Sequence, residues 1–475
     1  MCNFKAKGTI NSALQVSTHD GTVERIFLIF ESMNRLHILL LLLLPFSLFS
    51  QTPKRYFQQE VNYKINVALD DTKHSLTADI ELEYINHSND TLQNIWFHLW
   101  PNAYKDRNSA LCKQLVNSGD PSLYFANEEE RGYIDNLNFT VDNQETDWEY
   151  DKEHQDICVL HLKKPLLPGN RIFIRTPFFV KLPSAEFSRL GHIGQAYAIT
   201  QWYPKPAVYD QRGWHPMPYL TQGEFYSEYG SFEVSITLPS NYVVGATGDL
   251  QTASEIEWMD MRSKEKLFLD PKNLFPPSST EKKTITFKQQ NIHDFAWFAD
   301  KRFHVAKGEV TLPRTGKKVT TWALYTNAEP EIWNKATEYI NDALLYYSDW
   351  VGDYPYNQCT AVDGTIAAGG GMEYPNVTII GTSDSAFLLE TVIAHEVGHN
   401  WFYGILGSNE REHPWMDEGM NSLIETRYVL KKYPPERFGN QNELSASMSG
   451  GKILGLDKLN YHQSALLEYQ TPASI

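Results

Sequence analysis

Between Tyr56 and His304 apolar and polar residues alternate in short runs, as in "YKINVALD" (63–70), "LTADIELEY" (76–84), "IWFHLW" (95–100), "FEVSITLP" (232–239) and "KTITFKQQ" (283–290). A period of two sends successive side chains to opposite faces of a sheet, so each run predicts a half-buried strand. Loops rich in proline and glycine, such as "YPKPAVYDQRGWHPMPYL" (203–220), separate them. Residues 52–304 are therefore expected to form a large amino-terminal all-β domain.

After the strand "KVTTWALY" (318–325) the period changes. "PEIWNKATEYINDALLYYSDWVG" (330–352) places Ile332, Trp333, Ala336, Tyr339, Ile340, Ala343, Leu344 and Tyr347 on one helical stripe that ends near Gly352. A strand over 360–363, a glycine loop "AAGGGMEYP" (367–375) and a strand "NVTII" (376–380) follow. Next comes a helix through "TVIAHEVGHNWF" (391–402), with Ser383 and Asp384 as capping candidates, and then one over 414–432 that stops before Pro434. Residues 305–475 read as mixed α/β, which makes the fold class α+β.

Composition narrows the class. The 475 residues are 42% hydrophobic and 13% aromatic, enough to bury real cores in two or three domains. A formal net charge of −16 with no basic block argues against nucleic acid or anionic lipid as the main partner and fits a cationic or neutral ligand. Residues 33–51, "MNRLHILLLLLLPFSLFSQ", have a basic start, an apolar run from Leu36 to Phe49 and a small residue, Ser50, before Gln51. That is a signal peptide over 33–50, interrupted by Pro45 and short of the ~20 residues of a membrane span, so export to the periplasm, outer surface or medium is expected with no other transmembrane span. The signal begins at Met33, which marks 1–32 as an upstream mis-start; a structured amino-terminal arm is the alternative. The charges before Gln51 nearly cancel, so the acidity belongs to the remainder.

Residues i and i+4 of a helix stand one above the other, so His395 and His399 can face one ion with Glu396 beside them. This HExxH arrangement binds zinc through both histidines and uses the glutamate to deprotonate a metal-activated water. The four cysteines, Cys2, Cys112, Cys158 and Cys359, are too scattered for a thiolate site or a disulfide framework. Glu418, eighteen intervening residues after His399 in "HPWMDEGMNSLIE" (413–425), supplies the third ligand that a catalytic zinc needs, unless it is only a first-turn glutamate favoured by the helix dipole. Glu425, two turns on, is placed to hydrogen-bond a ligand histidine or to be a plain surface carboxylate.

"HEVGHNWF" followed by "WMDEG" resembles the zinc aminopeptidases of the aminopeptidase N and leukotriene hydrolase family, within the gluzincins, whereas thermolysin-type endopeptidases carry one more residue in that separation. "GGMEYP" (370–375) resembles the family's Gly-x-Met-Glu-Asn exopeptidase motif, with Tyr374 where Asn is usual, and "HDFAWFAD" (293–300) and "NYVVGATG" (241–248) resemble its β domain. The resemblance covers nearly all of 56–475. It implies a saddle-like β domain, a thermolysin-like catalytic domain over 305–475 and one Zn2+ per chain. It also implies that Glu373 holds the substrate's free amine, a task that suits a carboxylate on a rigid strand edge behind close-approach glycines; a solvated strand-end glutamate is the alternative. By its spacing before Pro204, Gln195 resembles the family's second amine contact, with Gln201 also available. The family's oxyanion-stabilising tyrosine usually sits in a Tyr-x-Lys-Gly context downstream. Tyr461 and Tyr469 lie in that region without matching it, so the tyrosine is expected beyond Ile475 and the catalytic domain is expected to be incomplete at its carboxyl end.

The function this implies is metal-assisted removal of amino-terminal residues from peptides with a free N-terminus, with Glu396 as catalytic base. Two alternatives remain: zinc-dependent hydrolysis of another electrophile such as an epoxide, and a non-catalytic peptide-binding relative.

Overall fold

A computed structural model of the chain describes residues 56–223, 225–265, 272–364 and 370–433. The signal segment 33–50, the stretch before it, and Tyr461 and Tyr469 lie outside the described residues.

The alternating runs pair into sheets whose burial follows their period. In Glu60–Asp70 the residues Val61, Tyr63, Ile65, Val67 and Leu69 point inward, and antiparallel pairing with Ser75–Ile85 sets Ile65 opposite Ile80 and Val67 opposite Ala78. Glu60–Asp70 also pairs in parallel with Gly230–Pro239, so the largest sheet joins segments far apart in the chain. Smaller sheets contribute to the same buried core. One contains Gly191–Ile193, Ala196–Ile199, Trp297–Asp300 and Val243–Ala246, and another is centred on Leu92–His98 and Ile157–Leu166.

This region is β-rich rather than all-β. The run "IWFHLW" ends as a strand at His98 and continues as a 3-10 turn, Trp100–Tyr104, because Pro101 has no amide hydrogen for the ladder. A helix, Ala110–Asn117, starts where Ser109 accepts a bond from the Cys112 amide, and a second one spans Ala253–Arg262.

From His304 onward five strands form one sheet in the order His304–Thr311, Lys318–Tyr325, Gln358–Asp363, Val377–Ile380, Gly371–Tyr374. The three central strands run parallel, and Gly371–Tyr374 is antiparallel at the end of the sheet. The expected helix over 330–352 is two helices, Pro330–Trp333 and Ala336–Trp350. The helix that carries His395 and ends at the C-cap His399 spans Ala386–Gly398 and is capped at its start by Ser385, whose hydroxyl accepts from Leu388 N, rather than by Ser383 or Asp384. Ser383 is committed elsewhere, its own amide donating to the Glu329 carboxylate. Leu389, Ile393, Ala394 and Val397 of this helix are fully buried, each large aliphatic one contributing about 1.5–3 kcal/mol. The expected helix over 414–432 begins as a 3-10 turn, Pro414–Met416, before the α-helix Glu418–Lys432. Among the described residues no helix is long and apolar enough to cross a membrane.

Candidate metal centre

The Ala386–Gly398 helix packs between Ala336–Trp350 and Glu418–Lys432, and that sandwich brings the candidate ligands together. His395 Nε2 lies 3.1 Å from His399 Nε2 and 3.2 Å from Glu418 Oε2, and His399 Nε2 lies 3.8 Å from the same carboxylate oxygen. Two imidazole nitrogens and one carboxylate oxygen within 4.8 Å of one another form a donor set that suits zinc and leaves coordination positions for substrate.

The opposite face of each ring is held by a carboxylate. His395 Nδ1 is 2.8 Å from Glu425 Oε2, in the geometry expected of a supporting partner. His399 Nδ1 donates to Asp417 Oδ1 at 2.6 Å and also meets the Phe402 carbonyl at 3.2 Å. These bonds place the hydrogens on Nδ1 and turn both Nε2 atoms toward the common point. Asp417 was not singled out by sequence reasoning, although an acid beside a ligand glutamate was the available signal. Asp417 makes no side-chain capping bond to the helix it precedes.

Electrostatics follow from this packing. Burial opposes charge on both imidazoles, yet the surrounding carboxylates outweigh it and hold His395 and His399 well above the usual histidine range. Burial would raise Glu418 too, but its bond to His395 and the charge of both histidines bring it down to about 2. Glu396 is buried, its Oε2 has no hydrogen-bond partner among the described residues, and burial raises its carboxyl to about 7 against the pull of His395 and His399. A carboxylate that binds a proton near neutrality can both take and return one.

The end strand Gly371–Tyr374 covers this glutamate. A Cβ at Gly371 would overlap the Glu396 side chain where it now lies, so glycine lets the strand approach it this closely. Two residues on, and therefore on the same face, Glu373 is buried and offers a carboxylate oxygen within 4.8 Å of ligand atoms of His399 and Asp417. The strand is tied to the metal-centre helix through Asn400, whose Oδ1 accepts from the amide of Asn376 in the following turn.

Gln195 is not brought to the centre. It is at the tip of the two-residue turn joining Gly191–Ile193 to Ala196–Ile199, where Nε2 meets Asp71 and Ser278 and Oε1 accepts from Lys301 Nζ. The glutamine that reaches the end strand is Gln201, which exchanges hydrogen bonds with the Tyr374 hydroxyl at 3.0 and 3.2 Å.

In fold, the chain is similar to an M1 zinc metallopeptidase variant from Deinococcus radiodurans, with a TM-score of 0.51 and 16% identity over 79% of this chain and 72% of that one. A two-domain M1 zinc metallopeptidase variant bound to L-tryptophan gives a TM-score of 0.51 and 14% identity, covering 82% and 76%. In sequence, 126 residues are 29% identical to leukotriene A-4 hydrolase of Xenopus laevis, a match spanning 26% of this chain and only 20% of that relative. No family model matches the chain. The chain thus has the α+β fold of the M1 zinc metallopeptidases, β-rich first and helical later.

Proposed function

We propose that the chain is an exported zinc aminopeptidase, with a saddle-like β domain over 52–304 and a thermolysin-like domain from 305 on. The observation that carries this reading is the convergence of His395, His399 and Glu418 beside a buried Glu396, with Glu373 on the same side. A bound zinc would supply Lewis-acid polarisation of the scissile carbonyl and acidify the attacking water.

The protein's own groups account for the rest. Glu396 accepts the proton of the attacking water and returns it to the departing amine, for which a carboxyl near neutrality is matched. Glu373 pairs with the substrate ammonium and so fixes one residue's length between the N-terminus and the reacting carbonyl. The end strand Gly371–Tyr374 lies where an extended substrate can pair with its main chain. Gln201, through Tyr374, holds that strand in place.

The test is hydrolysis of free and N-acetylated aminoacyl amides by purified, zinc-loaded protein, with zinc content measured alongside. Preferential cleavage of free amines with about one zinc per chain is expected. Equal cleavage of both would leave a zinc hydrolase that is not an aminopeptidase. Epoxide hydrolysis is the second reading, supported by the partial likeness to leukotriene A-4 hydrolase, and an epoxide substrate assayed beside the amides separates the two. Export is tested by fractionating cells that express the chain from Met33.

A further inference from the structure

Asn421 is fully buried near the start of the Glu418–Lys432 helix, one turn beyond Glu418. A buried amide is costly unless its donors and acceptor are matched, and asparagine is a poor interior helix residue. Here both ends of the amide are matched across helices. Its Nδ2 donates to the backbone carbonyl of His395 at 2.7 Å, and its Oδ1 accepts from the Tyr347 hydroxyl at 3.1 Å. Tyr347 belongs to Ala336–Trp350 and is itself fully buried.

Three helices therefore meet at one amide, and two of them carry the candidate zinc ligands. The His395 carbonyl is in the last turn of its helix, where its own bond from His399 N is long at 3.3 Å, so Asn421 completes it from outside. The amide has one workable orientation. Flipped, its oxygen would face the His395 oxygen, two acceptors in contact. The phenol hydrogen of Tyr347 holds the orientation in which nitrogen faces His395. Gly398 makes room for the arrangement, since a Cβ there would overlap both Asn421 Oδ1 and the Tyr347 ring.

We propose that Asn421 and Tyr347 are positioning residues that fix the register of the two ligand helices, and with it the distance from His395 to Glu418. The proposal rests on the zinc reading of the site, and neither residue touches the metal or the substrate. Packing alone would be served by an apolar side chain, whereas a register clamp needs the donor toward His395.

The experiment measures zinc affinity of the full chain by competition with a chromophoric chelator, together with thermal unfolding of the metal-free protein. Tyr347→Phe keeps the ring and removes the hydroxyl; Asn421→Asp keeps the shape and removes the donor. Each is expected to weaken zinc binding by about ten-fold, in the range for groups that orient ligands from outside. The double variant is expected to lose less than the product of the two, because both act through one amide. Tyr242→Phe is the control: it loses a buried hydroxyl bond of the same kind, to Asp71 in the β-rich region, and should keep zinc affinity within about two-fold. Clamp variants that bind zinc as tightly as the parent would overturn the clamp while leaving the zinc site standing. The same follows if the control loses as much affinity as they do. A parent that binds no zinc would overturn the zinc site and the clamp together.

Discussion

Asp417 Oδ1 lies 2.6 Å from His399 Nδ1, and Asp417 is the residue directly before Glu418. Adjacent residues thus serve one centre in different ways, Glu418 facing it and Asp417 orienting the histidine opposite. Asp417→Ala should weaken zinc binding by about 10–100-fold, read by chelator competition. Since surrounding carboxylates make both imidazoles hold protons above the usual range, zinc uptake must displace those protons. Apparent affinity should therefore climb with rising pH and go on climbing above the usual histidine range. A flat profile would contradict the assignment of both histidines.

Glu396→Gln preserves the shape beside Gly371 but cannot accept a proton. The variant should retain zinc and lose roughly a hundred-fold to ten-thousand-fold in kcat. Turnover within a few-fold of the parent, at equal zinc content, removes Glu396 from the reaction.

The grouping of His395, His399 and Glu418 was largely legible in the sequence because its signals are local. His395 and His399 are related by one turn of helix, and Glu418 follows at a short fixed separation. What was not legible depends on how distant segments meet. The spacing from Gln195 to Pro204 assumes an unbroken path, but residues 194 and 195 form a tight turn and Gln201 adopts φ +48°, which redirects the chain. Asn421 and Tyr347 are separated by more than seventy residues, and only the crossing of their helices reveals the contact. The stripe over 330–352 keeps its period through Asn334 and Lys335, although the helix does not.

Glu373 is expected to contribute through the substrate's charge. A charge-assisted contact of this kind is worth about 1.5–3 kcal/mol, so Glu373→Ala and N-acetylation of the substrate should each lower kcat/KM by roughly ten-fold to more than a hundred-fold. Together they should cost less than the product, since each removes the same pair. Full additivity in kcat/KM would show that Glu373 and the ammonium do not meet.

Lys205 and Asp294 form an ion pair at 3.0 Å in which both side chains are almost wholly buried, and Asp294 Oδ1 also accepts from Tyr203. Asp294→Asn keeps the acceptor for Tyr203 but leaves a buried ammonium without its counter-charge. A loss of about 3–5 kcal/mol in denaturant unfolding is expected. Adding Lys205→Met should restore most of it, because the second change removes the stranded charge. If the double variant is as unstable as the single one, the loss comes from packing.

Glu228 is buried, its Oε1 accepts from the Tyr209 amide, and burial, with Asp210 adding to it, raises its carboxyl to about 8. An acid whose folded pKa exceeds its unfolded value binds its proton more tightly when folded. Its contribution is therefore fully present below about pH 4.5 and is lost as pH rises toward about 8, at up to ~1.4 kcal/mol per pH unit. Glutamine can accept the same Tyr209 bond and does not titrate. Denaturant unfolding of the parent and of Glu228→Gln should thus give a stability difference that shifts steadily in the variant's favour between about pH 5 and about pH 8. A difference that stays constant across that window would show that Glu228 does not change its protonation on folding.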